Sequence, residues 1–443
     1  MIPAMLHAFK DYLCSDRLGV KTSGDPLERR TAFQHDYDRL VFSPTFRRLQ
    51  NKTQVFPLPD VSIFVHNRLT HSLEVASVGR SLGAWVAEEL LLRYPELHEV
   101  ISVDKVSTVV STASLAHDLG NPPFGHFGER TICAYFNEGN GAGLRDLVPD
   151  EQWQDFTHFD GNANTFRLLT HHFEGKPEGG FGLTFATLGS VIKYPYASSL
   201  AGDKPKFGFF SDDKRAFIEV AERCGMVRRP GKELSYSRHP FAYLVEAADD
   251  ICYQIMDIED AYKTHLVSYE EAIALYRPFL SDGVIDGINH RVLAEAITDR
   301  NTVVSIYRGK VIDRMAVACA SVFLSRLDEI IEGKTVPSLI SLVDPDMRES
   351  YERCSAFAQE RIYNSRDNQR VSLKGYKILT NLLDKYIHAA LHPEELYSEK
   401  LLSGVSLQFG LRKGTVGDRI QGVLDFLSGV TDSYASDLND LLG

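Results

Sequence analysis

The stretch His117-Asp118-Leu119-Gly120-Asn121-Pro122-Pro123-Phe124-Gly125-His126-Phe127-Gly128-Glu129 sets the reading of this chain. It opens with two metal-type ligands side by side at the end of an apolar run, Val106 to Ala116. A Gly/Pro turn follows, and the text restarts with a second imidazole and a carboxylate. Two polar groups closing an apolar helix must both find partners, so a His-Asp pair there serves packing poorly. By itself such a dipeptide is a frequent chance match, and its meaning depends on partners elsewhere. The pattern predicts a helix over about 106–118, a turn, and a further helix from near Gly125 to before Asn137.

Upstream, Ser43-Pro44 reads as a helix start, with Ser as cap and Pro at the first helical position. Arg47, Arg48 and Lys52 form a basic cluster that fits a solvated helix face. After a Pro57/Pro59 turn, His66-Asn67-Arg68-Leu69-Thr70-His71 leads into a helix to about Leu92. Its apolar positions Leu69, Leu73, Val75, Val78, Leu82 and Trp85 recur at helical spacing. Downstream, residues 138–152 read as a loop, and His158 precedes Asp160-Gly161-Asn162-Ala163-Asn164, which opens another helix. A helix from Leu183 to Ile192 stops at Lys193-Tyr194-Pro195, and Lys206-Phe207-Gly208-Phe209-Phe210 sits in a loop. Pro240 to about Thr264 is strongly helical. Residues 265–443 alternate helical segments, such as Val311 to Ile331 and Ser372 to Leu391, with short turns. Strand signals are few, so the expected fold class is all-α. Residues 1–29 read as an irregular N-terminal segment with a short amphipathic start, 30–264 as the core, and 265–443 as helices packed on it in one continuous domain.

With 443 residues, 44% of them hydrophobic, the chain can bury a large core. A net charge of −12 argues against nonspecific coating of nucleic acid, while leaving room for a small basic pocket. Six scattered cysteines without a CxxC read as reduced thiols. The N-terminus lacks a signal-peptide layout and no stretch is apolar enough to span a membrane, so a cytoplasmic protein is expected.

Asp249, Tyr253 and Asp257 are spaced i, i+4, i+8 and share one helix face, with Asp250, Glu259 and Asp260 pointing elsewhere. The surrounding residues Ala247, Ala248, Ile251, Ile255 and Met256 are apolar, and a carboxylate buried among them needs a cation or a metal. The alternative is an exposed acidic stripe. Taken together, His71, His117, Asp118 and Asp249 offer two imidazoles and two carboxylates, a donor set for Mn, Fe, Co, Ni, Zn or Mg. Four ligands leave coordination positions open for water and a phosphate oxygen.

In this order the ligands resemble the H…HD…D signature of the HD-domain phosphohydrolase superfamily. The flanking text is similar to one branch, the deoxynucleoside triphosphate triphosphohydrolases of the dGTPase family. The pieces that carry the likeness are Phe46-Arg-Arg-Leu with Lys52-Thr-Gln-Val-Phe56, Asn67-Arg-Leu-Thr-His71, the 117–129 block, Phe159-Asp-Gly-Asn-Ala, Lys193-Tyr-Pro, Lys206-Phe-Gly-Phe-Phe and Glu246-Ala-Ala-Asp249-Asp-Ile-Cys-Tyr253. They run in family order from about 30 to 262. Asn164 departs from the family, where many members have Gln. Arg361-Ile-Tyr-Asn and Gly375-Tyr-Lys look family-like without carrying a site.

The resemblance implies an HD-domain helical core with additional C-terminal helices. It also implies hydrolysis of dGTP or several dNTPs by water attack at the α-phosphate, releasing deoxynucleoside and inorganic triphosphate. A divalent ion, Mn or Mg foremost, would be held by His71, His117, Asp118 and Asp249. Glu129 would orient His126 for proton transfer, with His158 as a further pocket histidine. Arg68, Asn121, Lys193 and Lys206 would contact the nucleotide, chiefly its triphosphate. Gln54 and Val55 would lie beside the deoxyribose, Tyr253 under it, and Asp257 at its 3′-hydroxyl. A ring where a 2′-hydroxyl would sit excludes ribose. Implied partners are a nucleotide activator, single-stranded DNA by family analogy, and further copies of the chain in a hexamer or tetramer. Two other readings are another HD-domain phosphohydrolase acting on a different nucleotide, and a metal-holding but idle nucleotide sensor or single-strand nucleic-acid binder. The Tyr253/Asp257 stripe and the His126/Glu129 pair favour the triphosphohydrolase.

Overall fold

The computed structural model describes residues 2–19, 29–55, 65–202 and 206–443, and the Pro57/Pro59 turn and Phe56 lie outside them. Among the described residues the fold is all-α: helices joined by short turns, with isolated bridges such as Thr53 to Asn67 and no strand. No helix is long and apolar enough to cross a membrane. The six cysteines form no disulfide, and all but Cys14 are buried.

Two helices packed face to face hold the centre. The helix Arg68–Arg93 starts on a reciprocal cap: the Asn67 side chain accepts the Thr70 N–H at 2.9 Å and the Thr70 hydroxyl accepts the Asn67 N–H at 3.1 Å. Its buried face runs Val75, Gly79, Leu82, Gly83, Val86 and Leu90. Gly83 is required by close approach, since a Cβ there would meet Ser107 Cα at 3.0 Å on the neighbouring helix Val103–Ala116. That second helix is capped by Ser102 and is buried nearly all round, as an apolar helix without a polar face must be.

It ends at Ala116, two residues short of the expected 118, so His117 and Asp118 stand in the turn that follows. Pro122 and Pro123 prevent its continuation. Phe124 then takes a left-handed backbone, φ 64°, and the helix Gly125–Asn137 begins. The helix Pro240–Lys263 crosses behind both. Its cap is His239, whose imidazole burial pushes down to about 4 and which accepts the Phe241 N–H at 3.2 Å. A neutral ring is what that role needs.

The chain after 265 serves two apolar cores. Residues up to Ile362 join the main core, which begins at Met5. Ile378, Leu382, Tyr386, Val423 and Phe426 instead build a second core with Ile132, Phe136, Trp153 and Phe156. The expected helix over 311–331 is two, Arg300–Ser325 and Leu327–Ile331, broken at Arg326. The helix expected from Ser372 starts at Arg366, where Ser365 caps it.

Candidate active site

His71 lies on the first turn of Arg68–Arg93 and His117 just beyond Val103–Ala116, with ring centroids 5.4 Å apart. A carbonyl can only accept, so His117 Nδ1 donates to Ser114 O at 2.6 Å. That bond holds Nδ1 and turns Nε2 inward, where it is buried with no hydrogen-bond partner. Asp249 Oδ1 is 3.2 Å from His71 Nε2 and 3.4 Å from His117 Nε2. One ligand atom each of His71, His117 and Asp118 falls within 4.8 Å of the others. Burial opposes charge on His117, yet Asp118 and Asp249 push it up to about 9. Burial also opposes charge on Asp118, but Arg68, at 2.5 Å, and His117 hold it below the usual carboxylate range. Asp249 is lowered in the same way, against burial, chiefly by His117. Two ionised carboxylates around a buried imidazole Nε2, whose proton an arriving cation would displace, fit a divalent ion. Gly125, at φ 58°, has no side chain because the Arg68 guanidinium fills that space.

His126 lines the same cavity as His117, Asp118 and Asp249, with Glu129 beside it. His126 Nδ1 is 3.0 Å from Glu129 Oε2, one turn along Gly125–Asn137. Glu129 is buried; its Oε1 accepts the Gly161 N–H at 2.8 Å, and Lys206 Nζ is 3.5 Å from its Oε2. Burial raises the Glu129 carboxyl, but His126 outweighs it and brings the value to about 2. The charge on Glu129 raises His126 in turn. The imidazole itself is 62% exposed, so it is open to an incoming ligand while its partner is not.

A cavity of ≈ 280 Å³ collects Gln54, Arg68, His117, Asp118, Asn121, His126, Lys193, Lys206, Asp249 and Tyr253 on one wall system. Five expected residues are not in its lining: His71 and Glu129 stand next to it through Asp249, at 3.2 Å, and His126, at 3.0 Å, and three others lie away from it. His158 Nδ1 faces the Gln154 carbonyl at 3.0 Å, Val55 packs on the main core, and Asp257 is buried behind Tyr253. The hydroxyl of Tyr363 donates to Asp257 at 2.6 Å, and its ring stacks on Tyr253 with centroids 5.7 Å apart. Burial pushes Asp257 up to about 8.

Sequence reasoning missed several members. Asp250 was expected to point away, yet it lines the cavity beside Asp249, because one 100° helical step stays within a concave wall. Burial pushes it up to about 7. Asp260 and Glu259 do point elsewhere, to His66 at 2.8 Å and to Arg308. Lys52 does not sit on a solvated face. It is fully buried, and its ammonium donates to Asn121 O at 2.5 Å and Ser428 O at 2.7 Å. Burial pushes it well below the ordinary lysine value. Asn164 is buried and donates to Gly120 O at 2.6 Å, an internal contact of the HD turn. Asp432, more than 300 residues on, accepts the Phe124 N–H at 3.0 Å and the Thr53 N–H at 2.8 Å.

A family model described as a phosphohydrolase-associated domain matches residues 342–440. The chain is 35% identical over 435 residues to a deoxyguanosinetriphosphate triphosphohydrolase-like protein of Pseudomonas aeruginosa, covering 96% of each chain. A protein of the same name from Synechocystis is 34% identical over 444 residues, with 97% of each covered. The deoxyguanosinetriphosphate triphosphohydrolase of Yersinia enterocolitica is 28% identical, with 93% of this chain and 94% of that one covered.

Proposed function

Since this chain belongs to the deoxyguanosinetriphosphate triphosphohydrolase-like family of hydrolases, we propose that it hydrolyses dGTP or several dNTPs to deoxynucleoside and inorganic triphosphate. The observation that carries the reading is a single cavity whose lining brings His117, Asp118 and Asp249 together with His126, with His71 3.2 Å from Asp249 and Glu129 3.0 Å from His126. A divalent ion held by His71, His117, Asp118 and Asp249 would supply positive charge beside the α-phosphate.

The chain's own groups supply the rest. Water adds its oxygen to the α-phosphorus, the bond from phosphorus to the 5′-oxygen breaks, and that oxygen leaves with a proton. Glu129 occupies His126 Nδ1, which leaves Nε2 as the working nitrogen for the proton. Arg68, Lys193 and Lys206 line the cavity and offset the charge of the triphosphate, about −4 near neutral pH. Tyr253, braced by Tyr363, packs under the sugar and disfavours a 2′-hydroxyl. Asp257, held by the Tyr363 hydroxyl next to Tyr253, would take the 3′-hydroxyl, and Gln54, in the cavity lining, would lie beside the sugar.

The test is incubation of dGTP, dATP, dCTP, dTTP and GTP with Mn or Mg in ¹⁸O-labelled water, followed by product analysis. Deoxynucleoside and ¹⁸O-labelled triphosphate are expected, with GTP spared. Label in the 5′-hydroxyl sinks the mechanism, and release of orthophosphate or pyrophosphate moves the chain to another reaction.

A further inference from the structure

A second cavity, ≈ 630 Å³, adjoins the catalytic one and shares Lys193 and Tyr194 with it as a common wall. Beyond that wall it is lined by Arg229, Lys232, Arg238 and Tyr243, with no carboxylate or amide side chain in the lining. In a chain of net charge −12, four cations around one cavity make a local positive field.

The cavity is built into the fold. Glu246, behind the shared wall, holds Arg238 at 2.6 Å and Lys193 at 3.7 Å, so those two cations are fixed. The loop bearing Arg229 and Lys232 is tied down by Ser237 N–H to Val227 O at 2.7 Å and Tyr236 N–H to Pro195 O at 2.9 Å. Arg229, half-buried, and Lys232, exposed, form no ion pair among the described residues. Their charges are free for a ligand. The ligand that fits is a compact polyanion: four cations and several hydroxyls can donate to phosphate oxygens, and no carboxylate in the lining repels them.

We propose that this cavity receives the inorganic triphosphate as it leaves the catalytic cavity, passing from Lys193 at the shared wall to Arg229 and Lys232. The inference rests on the proposed reaction, because that reaction releases triphosphate beside Lys193.

The probe is inorganic triphosphate, titrated calorimetrically into the full-length protein in the presence of a chelator, so that a catalytic metal does not contribute. Wild type should bind it with a steep salt dependence. Arg229→Ala with Lys232→Ala should weaken binding about tenfold. The same variant should resist product inhibition while keeping the initial-rate kcat and the KM for dGTP. Lys232→Glu, a change at an exposed loop position, should weaken triphosphate binding without altering the unfolding transition. Unchanged triphosphate affinity in the double variant overturns the proposal. A raised KM for dGTP overturns it too, since the cavity would then serve the entering nucleotide. If dNTP hydrolysis is absent but triphosphate binding follows Arg229 and Lys232, the reaction assignment fails and the anion site stands.

Discussion

Asp432→Ala tests whether the distant C-terminal helix Asp432–Leu442 holds the catalytic turn in shape. Its carboxylate accepts two backbone N–H groups, Phe124 at 3.0 Å and Thr53 at 2.8 Å. Each charge-assisted bond contributes about 1.5–3 kcal/mol when buried. Asp432 is only half-buried, and water can enter after truncation. The turn also recovers part of the strain of a left-handed Phe124, about 1–2 kcal/mol. A net destabilisation of about 2–3 kcal/mol is therefore expected, measured as the shift in urea midpoint at constant slope. Function should suffer more than stability implies, because His126 is two residues from Phe124 and Gln54 is one from Thr53. Loss of their placement should lower kcat/KM about tenfold or more at temperatures where the variant is fully folded. Asp432→Asn keeps one acceptor oxygen and should fall between the two. An Asp432→Ala protein with an unchanged midpoint and unchanged kcat/KM would refute the reasoning.

Asp249→Ala should lower bound metal, read by elemental analysis, and abolish turnover; full occupancy in that variant would remove Asp249 from the ligand set. His126→Ala and Glu129→Ala should each lose about a hundredfold in kcat and keep their metal. The double variant should be little worse than the worse single, since the two act as one unit, and multiplicative losses would show independent roles. For His126 working as a neutral base, rate falls as pH drops through its raised pKa. Glu129 is the main cause of that rise, so Glu129→Gln should move the acidic limb to lower pH. Asp155, pushed up to about 7 by burial despite bonds from Ser198 and Ser211, gives a stability signature. Above the unfolded pKa the unfolded chain has lost the proton and the native state keeps it, so stability should fall between about pH 4 and 7 and level off above. The integrated loss is about 4 kcal/mol. Asp155→Asn should flatten that slope in denaturation curves measured at several pH values.

The helices that carry the site were legible because their signals are local. The apolar run before His117, the prolines after it and the i, i+4, i+8 spacing from Asp249 each act over a turn or two. The expected donor set rests on chemical type alone; His71, His117 and Asp118 bring ligand atoms within 4.8 Å of one another, and Asp249 lies 3.2 Å from His71. What escaped depends on partners far along the chain. Lys52 reads as a surface lysine until Ser428 O and Asn121 O are placed around its ammonium. Tyr363 has no local pattern linking it to Asp257, 106 residues earlier. Val55 and His158 carry the right residue types, but the cavity does not include them in its lining. Residue type names a chemistry; only tertiary packing decides which way the side chain turns.

The second apolar core sets an order of events during synthesis. The helix Gly125–Asn137 bears His126 and Glu129, and its inner residues Ile132 and Phe136 pack with Ile378, Leu382 and Val423. A nascent chain extended only to residue 340 already holds all four metal-type ligands, on helices that belong to the other core. The helix bearing His126, however, has only the Trp153 and Phe156 side of its apolar bed, and Lys52 lacks the Ser428 carbonyl. Such an intermediate exposes Phe136, Trp153 and Phe156, a surface that chaperones and proteases recognise. The packing around His126 and Lys52 is therefore complete only once the C-terminal helices have been made.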